Sequence, residues 1–383
     1  MDSLLQAVKV MNVESYRQFY LMNKDKPIVK FEFSYHSSID YWFEEIEVLD
    51  NVLPIDYVDI ESFLLNRKAP SSRKHINMLL NRYNCNTLIG YITYTHCVSL
   101  NDTFWVKEVS SELQWKDVSP YCNKLNELVS EMAFSGEGKI SDLAWSPEFS
   151  TNGRFPKRWI KEDSGIYLIK GGTKENDDIE PLLECIASKV YNVLCSSSVE
   201  YTYTTFKNKP VSKCSLFTNE DEGIISLSRL SVKPKYKDIQ ALYGTFDKVD
   251  ELNNMLIADA VVRNTDRHLG NIALTVNNDT QQLIDVSRVY DYNCSLCPEI
   301  NIDMIEKDVI RYIRNLVPRI DADFTQTSRQ LLTLDVKEKL LYILELVVKN
   351  NLIPMELQSK LDCRRMFIIN KILEVSILDI LSL

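Results

Sequence analysis

The order of strand-like and helix-like stretches predicts an α+β chain of two lobes, one β-rich and one α-rich, behind an additional N-terminal module. Three observations carry this reading. The 383 residues exceed the ~100–200 of one domain. Strand signals surround a single helical pattern between residues 146 and 218, and beyond that point the pattern is mostly helical. Residues 1–128 mix both patterns without a catalytic arrangement. The boundaries read as an accessory module over 1–128, a β-rich lobe over 129–217 and a helical lobe over 218–383, with the joint near Phe217, Thr218 and Asn219.

Composition narrows the function classes. With 45% hydrophobic and 26% charged residues the chain matches globular proteins, and only 10 glycines leave little room for a low-complexity linker. The formal charge of −10 disfavours direct binding to nucleic acid or an anionic membrane. The start, from Met1 to Gln6, lacks a basic segment followed by an apolar run, and no apolar stretch reaches the ~20 residues that span a bilayer, so a cytoplasmic protein is expected. Nine cysteines without a signal sequence read as reduced thiols. Cys294 and Cys297 form a CxxC pair, but zinc needs four ligands and no second pair accompanies them.

In the first module, the cationic run from Asn66 to His75 leads into a helical pattern at Ile76, Leu79 and Leu80 and reads as a solvated helix face. An Asn101-Asp102 turn precedes the aromatic strand at Phe104, Trp105 and Val106. Texture changes at Ser135, Gly136, Glu137 and Gly138. Asn152-Gly153 is a turn signal between strand-like stretches, the second being 157–160, and predicts a β-hairpin. A turn at Asp163, Ser164 and Gly165 leads into an apolar strand, 166–169, that ends in Lys170. An acidic run ending at Pro181 then opens a helix carrying Glu184, Ile186, Val190 and Leu194. Strands are expected over 199–206 and 212–218, and the closing stretch from Leu331 is helical core.

Chemistry concentrates at Asp266-Arg267-His268-Leu269-Gly270-Asn271. A helix should enter this loop at Asn264 and a strand leave it at Ile272. The D-x-x-x-x-N spacing suits phosphoryl transfer. A carboxylate meets the attacking hydroxyl while a neutral amide oxygen nearby holds Mg²⁺ without adding negative charge. A two-stranded excursion through 283–286 should return Asp291 beside the loop, where an acidic residue can bridge the metal to nucleotide phosphates. Lys170, at the end of an apolar strand, can bind the α- and β-phosphates, with Glu184 on the next helix as its ion-pair partner. His268 has no second metal ligand near it and reads as a residue that shapes the loop. Arg267 suits pairing with a nearby carboxylate or a phosphorylated residue.

Over residues 146–295 this pattern resembles the HipA family of serine/threonine kinases, most specifically in Asn264-Thr265-Asp266-Arg267-His268-Leu269-Gly270-Asn271. The segment from Ser146 through Gly172 is similar to that family's phosphate-loop and lysine strand. The resemblance implies a two-lobed protein-kinase-like fold that uses ATP and Mg²⁺. It makes Asp266 the catalytic aspartate, Asn271 and Asp291 the metal ligands and Lys170 the phosphate-binding lysine. Phe217 and Thr218 match the hinge that cradles adenine. Departures accompany it: the nucleotide loop holds only Gly153, so Thr151 and Asn152 would assist its backbone N–H groups. Ser150 lies where some members carry a serine whose autophosphorylation blocks ATP binding. No glycine follows Asp291 and Tyr292 in this chain, as in that family.

Three functions compete. The first is a serine/threonine protein kinase acting on a protein substrate, a toxin-like growth regulator with a separate DNA-binding antitoxin. The second is a phosphatidylinositol-type lipid kinase, opposed by the lack of Lys or Arg between Asp291 and Lys307. The third is a non-catalytic nucleotide-binding interaction module, opposed by the full set Lys170, Asp266, Asn271 and Asp291.

Overall fold

A computed structural model describes residues 15–35, 41–82, 85, 87–137, 146–321 and 323–382. Residues 1–6 and Gly138, used in the sequence reading, lie outside these. The chain divides into two compact units. One holds Met1–Tyr167, Thr218–Ile224 and Val276–Leu283; the other holds Leu168–Phe217, Ile225–Thr275 and Ile284–Leu383.

The first unit is built on an antiparallel sheet of β1 (Ser15–Asn23), β2 (Lys26–Tyr35), β3 (Tyr41–Val48) and β4 (Phe104–Glu108), in the order β3-β2-β1-β4. Alternation sets its buried face: Phe19 and Leu21 on β1 share a core with Val29, Phe31 and Phe33 on β2. Against that face pack α1 (Ile60–Arg67), α2 (Ile76–Arg82), α3 (Leu88–Thr95) and α5 (Glu127–Ser135), through Phe63, Leu64, Leu79, Tyr91, Ile92, Val129 and Met132. The short α4 (Trp115–Val118) lies between β4 and α5 in sequence, and β5 (Lys157–Glu162) follows α5.

The cationic run is not a solvated face. Arg67 and Arg73 are both buried. Arg67 forks onto Asp102 at 2.8 and 2.9 Å and donates to the Cys97 and Phe104 carbonyls. Arg73 pairs with Glu148 at 2.6 Å and donates to the Lys157 carbonyl. Buried acidic partners, distant in sequence, outweigh the preference of a cationic run for water.

The predicted hairpin at Asn152-Gly153 is also absent. Pro147–Ser150 forms a 3₁₀ turn, because Ser146 caps it and Pro147 supplies a fixed φ at its start. Asn152 and Gly153 then lie outside any strand, with Gly153 at φ +96°. The two-residue turn lies instead at Asp163-Ser164, joining β5 to β6 (Gly165–Gly171).

The last four residues of β6 open the second unit. Then come α6 (Glu180–Leu194), β7 (Thr202–Phe206), β8 (Lys209–Ser215), β9 (Glu222–Ser226), α7 (Tyr236–Gly244) and α8 (Val249–Val262). β10 (Ala273–Asn277) and β11 (Leu283–Val286) form a sheet with β9 in the order β11-β10-β9. β6 lies beside β8, and β8 pairs antiparallel with β7. The closing helices are α9 (Glu306–Arg314), α10 (Phe324–Leu331), α11 (Leu334–Val348), α12 (Met355–Gln358) and α13 (Cys363–Leu381). Pro181 stands in the first turn of α6, as expected, and α6 buries Leu183, Ile186, Val190 and Leu194. Among the described residues no helix is long and apolar enough to cross a membrane.

Candidate active site

The second unit brings together Lys170, Glu184 and Asp291. Lys170 Nζ lies 2.7 Å from Glu184 Oε1 and 2.9 Å from Asp291 Oδ1, and 4.7 Å from the centroid of the Tyr201 ring. The strand end places the lysine and the second turn of α6 places the glutamate. Burial disfavours a charged Lys170, but Asp291 and Glu184 outweigh it and raise its pKa well above the usual lysine value. Glu184 is itself fixed: Ser212 donates to Oε2 at 2.5 Å and the Tyr292 N–H to Oε1 at 3.2 Å. Asp291 has φ +63°, a left-handed backbone that Asp tolerates better than most residues, and its N–H donates to the Tyr201 hydroxyl.

The loop carrying Asp266 is positioned from below by a buried charge cluster. Helix α8 stops because Arg263 adopts φ +53°, and the Asn264 N–H turns back to the Asp259 carbonyl at 2.9 Å. Arg267 pairs through Nε and Nη2 with Asp259 and through Nη1 with the carbonyls of Asn271 (2.9 Å) and Tyr290 (2.7 Å). Its guanidinium thus ties the two ends of the loop to the segment that carries Asp291. Burial opposes that charge, and the facing Asp259 carboxylate raises the Arg267 pKa well above its ordinary value. Tyr191, on α6, donates to the same carboxylate and stacks on Tyr292 with ring centroids 4.0 Å apart.

Within the loop, the Asp266 N–H donates to Asn264 Oδ1 at 3.1 Å, and Asn271 Nδ2 donates to the Asp266 carbonyl at 3.0 Å. That bond orients the Asn271 amide with Oδ1 as its acceptor end. His268 Nδ1 accepts from the Gly270 N–H at 3.0 Å, so it shapes the loop. A Cβ at Gly270 would fall 2.7 Å from the His268 ring, so a side chain there would push the imidazole off its bond to the Gly270 N–H. A neutral amide oxygen and a carboxylate are the hard donors that Mg²⁺ takes, so Asn271 and Asp291 fit that ion. Among the described residues no group of three or more His, Cys, Asp or Glu side chains is gathered to hold a metal.

The remaining predicted residues divide between the units. Phe217, in the second, packs on Tyr290 with ring centroids 5.7 Å apart. In the first unit, Thr218 Oγ1 donates to the Leu100 carbonyl at 2.5 Å. There too, Thr151 Oγ1 contacts the Pro147 carbonyl at 2.8 Å and accepts from the Trp159 indole, and Asn152 and Gly153 follow it. Ser150 is buried, with Oγ 2.9 Å from the Val98 carbonyl and 3.1 Å from that of Pro147. Neither Cys294 nor Cys297 forms a disulfide.

Sequence reasoning missed Asp259, Tyr191 and Arg319. Asp259 lies within the motif's own approach helix, one position from the buried Ala258 and Ala260, where a carboxylate demands a partner. That was a readable signal. Tyr191 and Arg319, whose Nη2 lies 2.8 Å from Asp266 Oδ1, carry none.

No family model matches the chain. No curated protein matches it either. Among solved structures it is similar to HipA of the Shewanella oneidensis MR-1 toxin–antitoxin system, solved with HipB and operator DNA. The TM-score is 0.56 at 12% identity over 94% of this chain and 96% of that one. A proinflammatory kinase of Helicobacter pylori, CtkA, matches 57% of this chain and 89% of its own at 16% identity, with a TM-score of 0.46. The chain has the two-lobed, kinase-like fold of HipA.

Proposed function

We propose that the chain is an ATP- and Mg²⁺-dependent serine/threonine protein kinase. The observation that carries this is Lys170 held between Glu184 and Asp291 in the same unit as an Asp266 loop tied internally through Asn271. A scaffold has no need for a buried lysine shared by two carboxylates, since such burial costs more than apolar packing would. In this reading Lys170 binds the α- and β-phosphates and Glu184 orients it. Asp266 receives the acceptor hydroxyl and its proton. Asn271 and Asp291 would hold Mg²⁺, which supplies charge neutralisation on the transferring phosphoryl group. Phe217 would border adenine. The boundaries 1–128, 129–217 and 218–383 remain our assignment of module and lobes.

The protein would work in the cytoplasm, where ATP and Mg²⁺ are available. By analogy with the Shewanella HipA, solved with HipB and operator DNA, a DNA-binding antitoxin is the proposed partner of a growth-regulating kinase. Ser150 is a candidate autophosphorylation site, and its hydroxyl would first have to leave the Val98 and Pro147 carbonyls.

The test is incubation with Mg²⁺ and γ-labelled ATP, alone and with a cell extract, beside Asp266→Asn and Asp291→Ala. Label on this chain or on an extract protein, lost in both variants, is the expected result. ATP binding without any transfer would instead support the nucleotide-binding interaction module.

A further inference from the structure

We propose that Arg319 is the catalytic cation of this site, donating to the transferring phosphoryl group; the inference rests on the phosphotransfer reading above. Arg319 lies in the connection between α9 and α10, and its Nη2 is 2.8 Å from Asp266 Oδ1. Ile320 is buried, and Pro318 and Ile320 line a small cavity with Leu256, Asp259, Asn264 and Arg267, beneath the Asp266 loop. Asp323 Oδ1 then caps α10 by accepting from the Gln326 N–H. The Arg319 side chain, by contrast, is 54% exposed. A half-exposed guanidinium beside the buried Ile320 reaches the carboxylate that meets the acceptor.

Two other cations of this unit are committed. Lys170 is buried between Glu184 and Asp291. The Arg267 guanidinium serves Asp259, Tyr191 and two backbone carbonyls. Phosphoryl transfer spreads negative charge over three equatorial oxygens beside Asp266, and an arginine there has large leverage on the rate. Solvent reaches the Arg319 end of the pair (54% exposed) more than the Asp266 end (19%), so the contact is screened at the arginine. Exchanging it for a phosphoryl partner therefore costs little.

In the step itself, the acceptor oxygen forms a bond to the γ-phosphorus as the bond from that phosphorus to the β–γ bridging oxygen breaks. ADP takes the electron pair. The hydroxyl proton passes to Asp266 Oδ1, the atom Arg319 vacates, and then to solvent. Arg319 donates to the equatorial oxygens as their charge builds.

The full chain would be compared with Arg319→Ala and Arg319→Lys in two assays: ADP release at saturating Mg·ATP, and affinity for Mg·ADP with and without aluminium fluoride, a mimic of the transferring group. Arg319→Ala should release ADP at least about a hundredfold more slowly. It should bind Mg·ADP as wild type does and lose the affinity gained with aluminium fluoride, with Arg319→Lys in between. An Arg319→Ala protein as fast as wild type or faster, or one that keeps the fluoride gain, overturns the proposal. A wild-type chain that neither binds Mg·ATP nor releases ADP fails the phosphotransfer reading itself, and the role of Arg319 falls with it.

Discussion

Arg267 is a fully buried guanidinium, and its charge is tolerable only because Asp259 faces it and two carbonyls and the Tyr191 hydroxyl accept its remaining N–H groups. Asp259→Ala leaves that charge without its carboxylate and should destabilise the chain by about 3–5 kcal/mol in urea unfolding. An unchanged midpoint would show that Arg267 is not the loop's support. Lys170→Met should weaken Mg·ATP binding, read by titration calorimetry, and should also lower the urea midpoint, because it leaves Glu184 buried without its cation. Lys170, Glu184, Asp266, Asn271 and Asp291 were legible because each sits at a strand end, on a helix turn or in a loop whose spacing fixes its neighbour. The bond from Tyr191 to Asp259 was not legible, because it joins two helices whose packing no local spacing encodes.

Among the elements, the segment from Ser146 to Lys157 was the least legible. Asn152-Gly153 is a strong hairpin signal only when strands flank it. Here Ser146-Pro147-Glu148 starts a 3₁₀ turn, and the buried pair Arg73–Glu148 fixes its carboxylate end. Burial raises the Glu148 pKa even against the nearby Arg73 charge, the mark of a carboxylate with little solvent. Arg73→Ala should therefore cost about 3–5 kcal/mol by leaving that group buried without its cation, and Arg73→Met with Glu148→Met should recover part of the loss. Helix α3 offers a pH test. His96 closes it at φ +49°, and burial holds the imidazole below its usual pKa although its Nδ1 contacts the Val106 carbonyl. The unfolded chain then takes up the proton first. His96 stabilises fully above about pH 6.5, and that contribution is lost as the pH falls through the folded-state value. Urea midpoints should drop between pH 7.5 and 5.5 in wild type and drop less in His96→Asn, whose side chain tolerates the left-handed backbone. Equal drops would remove His96 from the account.

For the whole molecule, the order of strands and helices pointed to a β-rich and an α-rich lobe, since strand and helix periodicities are local properties, and the kinase-like fold was implied only by the resemblance carried by the Asp266–Asn271 motif. The division into compact units was not readable, because Thr218–Ile224 and Val276–Leu283 belong with the first unit despite lying far along the chain. Within that unit Ile224 donates to the Asn101 carbonyl at 2.8 Å, and Asn23 donates to the Asn278 carbonyl at 2.6 Å. A fragment of residues 168–383 carries those two segments without the residues they pair with. It should show a broadened or lowered thermal transition compared with the full chain.

The Asp266 loop and the Lys170 cluster are proposed to form one phosphotransfer site. The most direct measurement is ADP release at saturating Mg·ATP by wild type and Asp266→Asn, with ATP affinity measured on the same samples. The expected rate is at least about a hundredfold lower in the variant at unchanged ATP affinity. Equal rates, or ATP bound without ADP release by either protein, would contradict it.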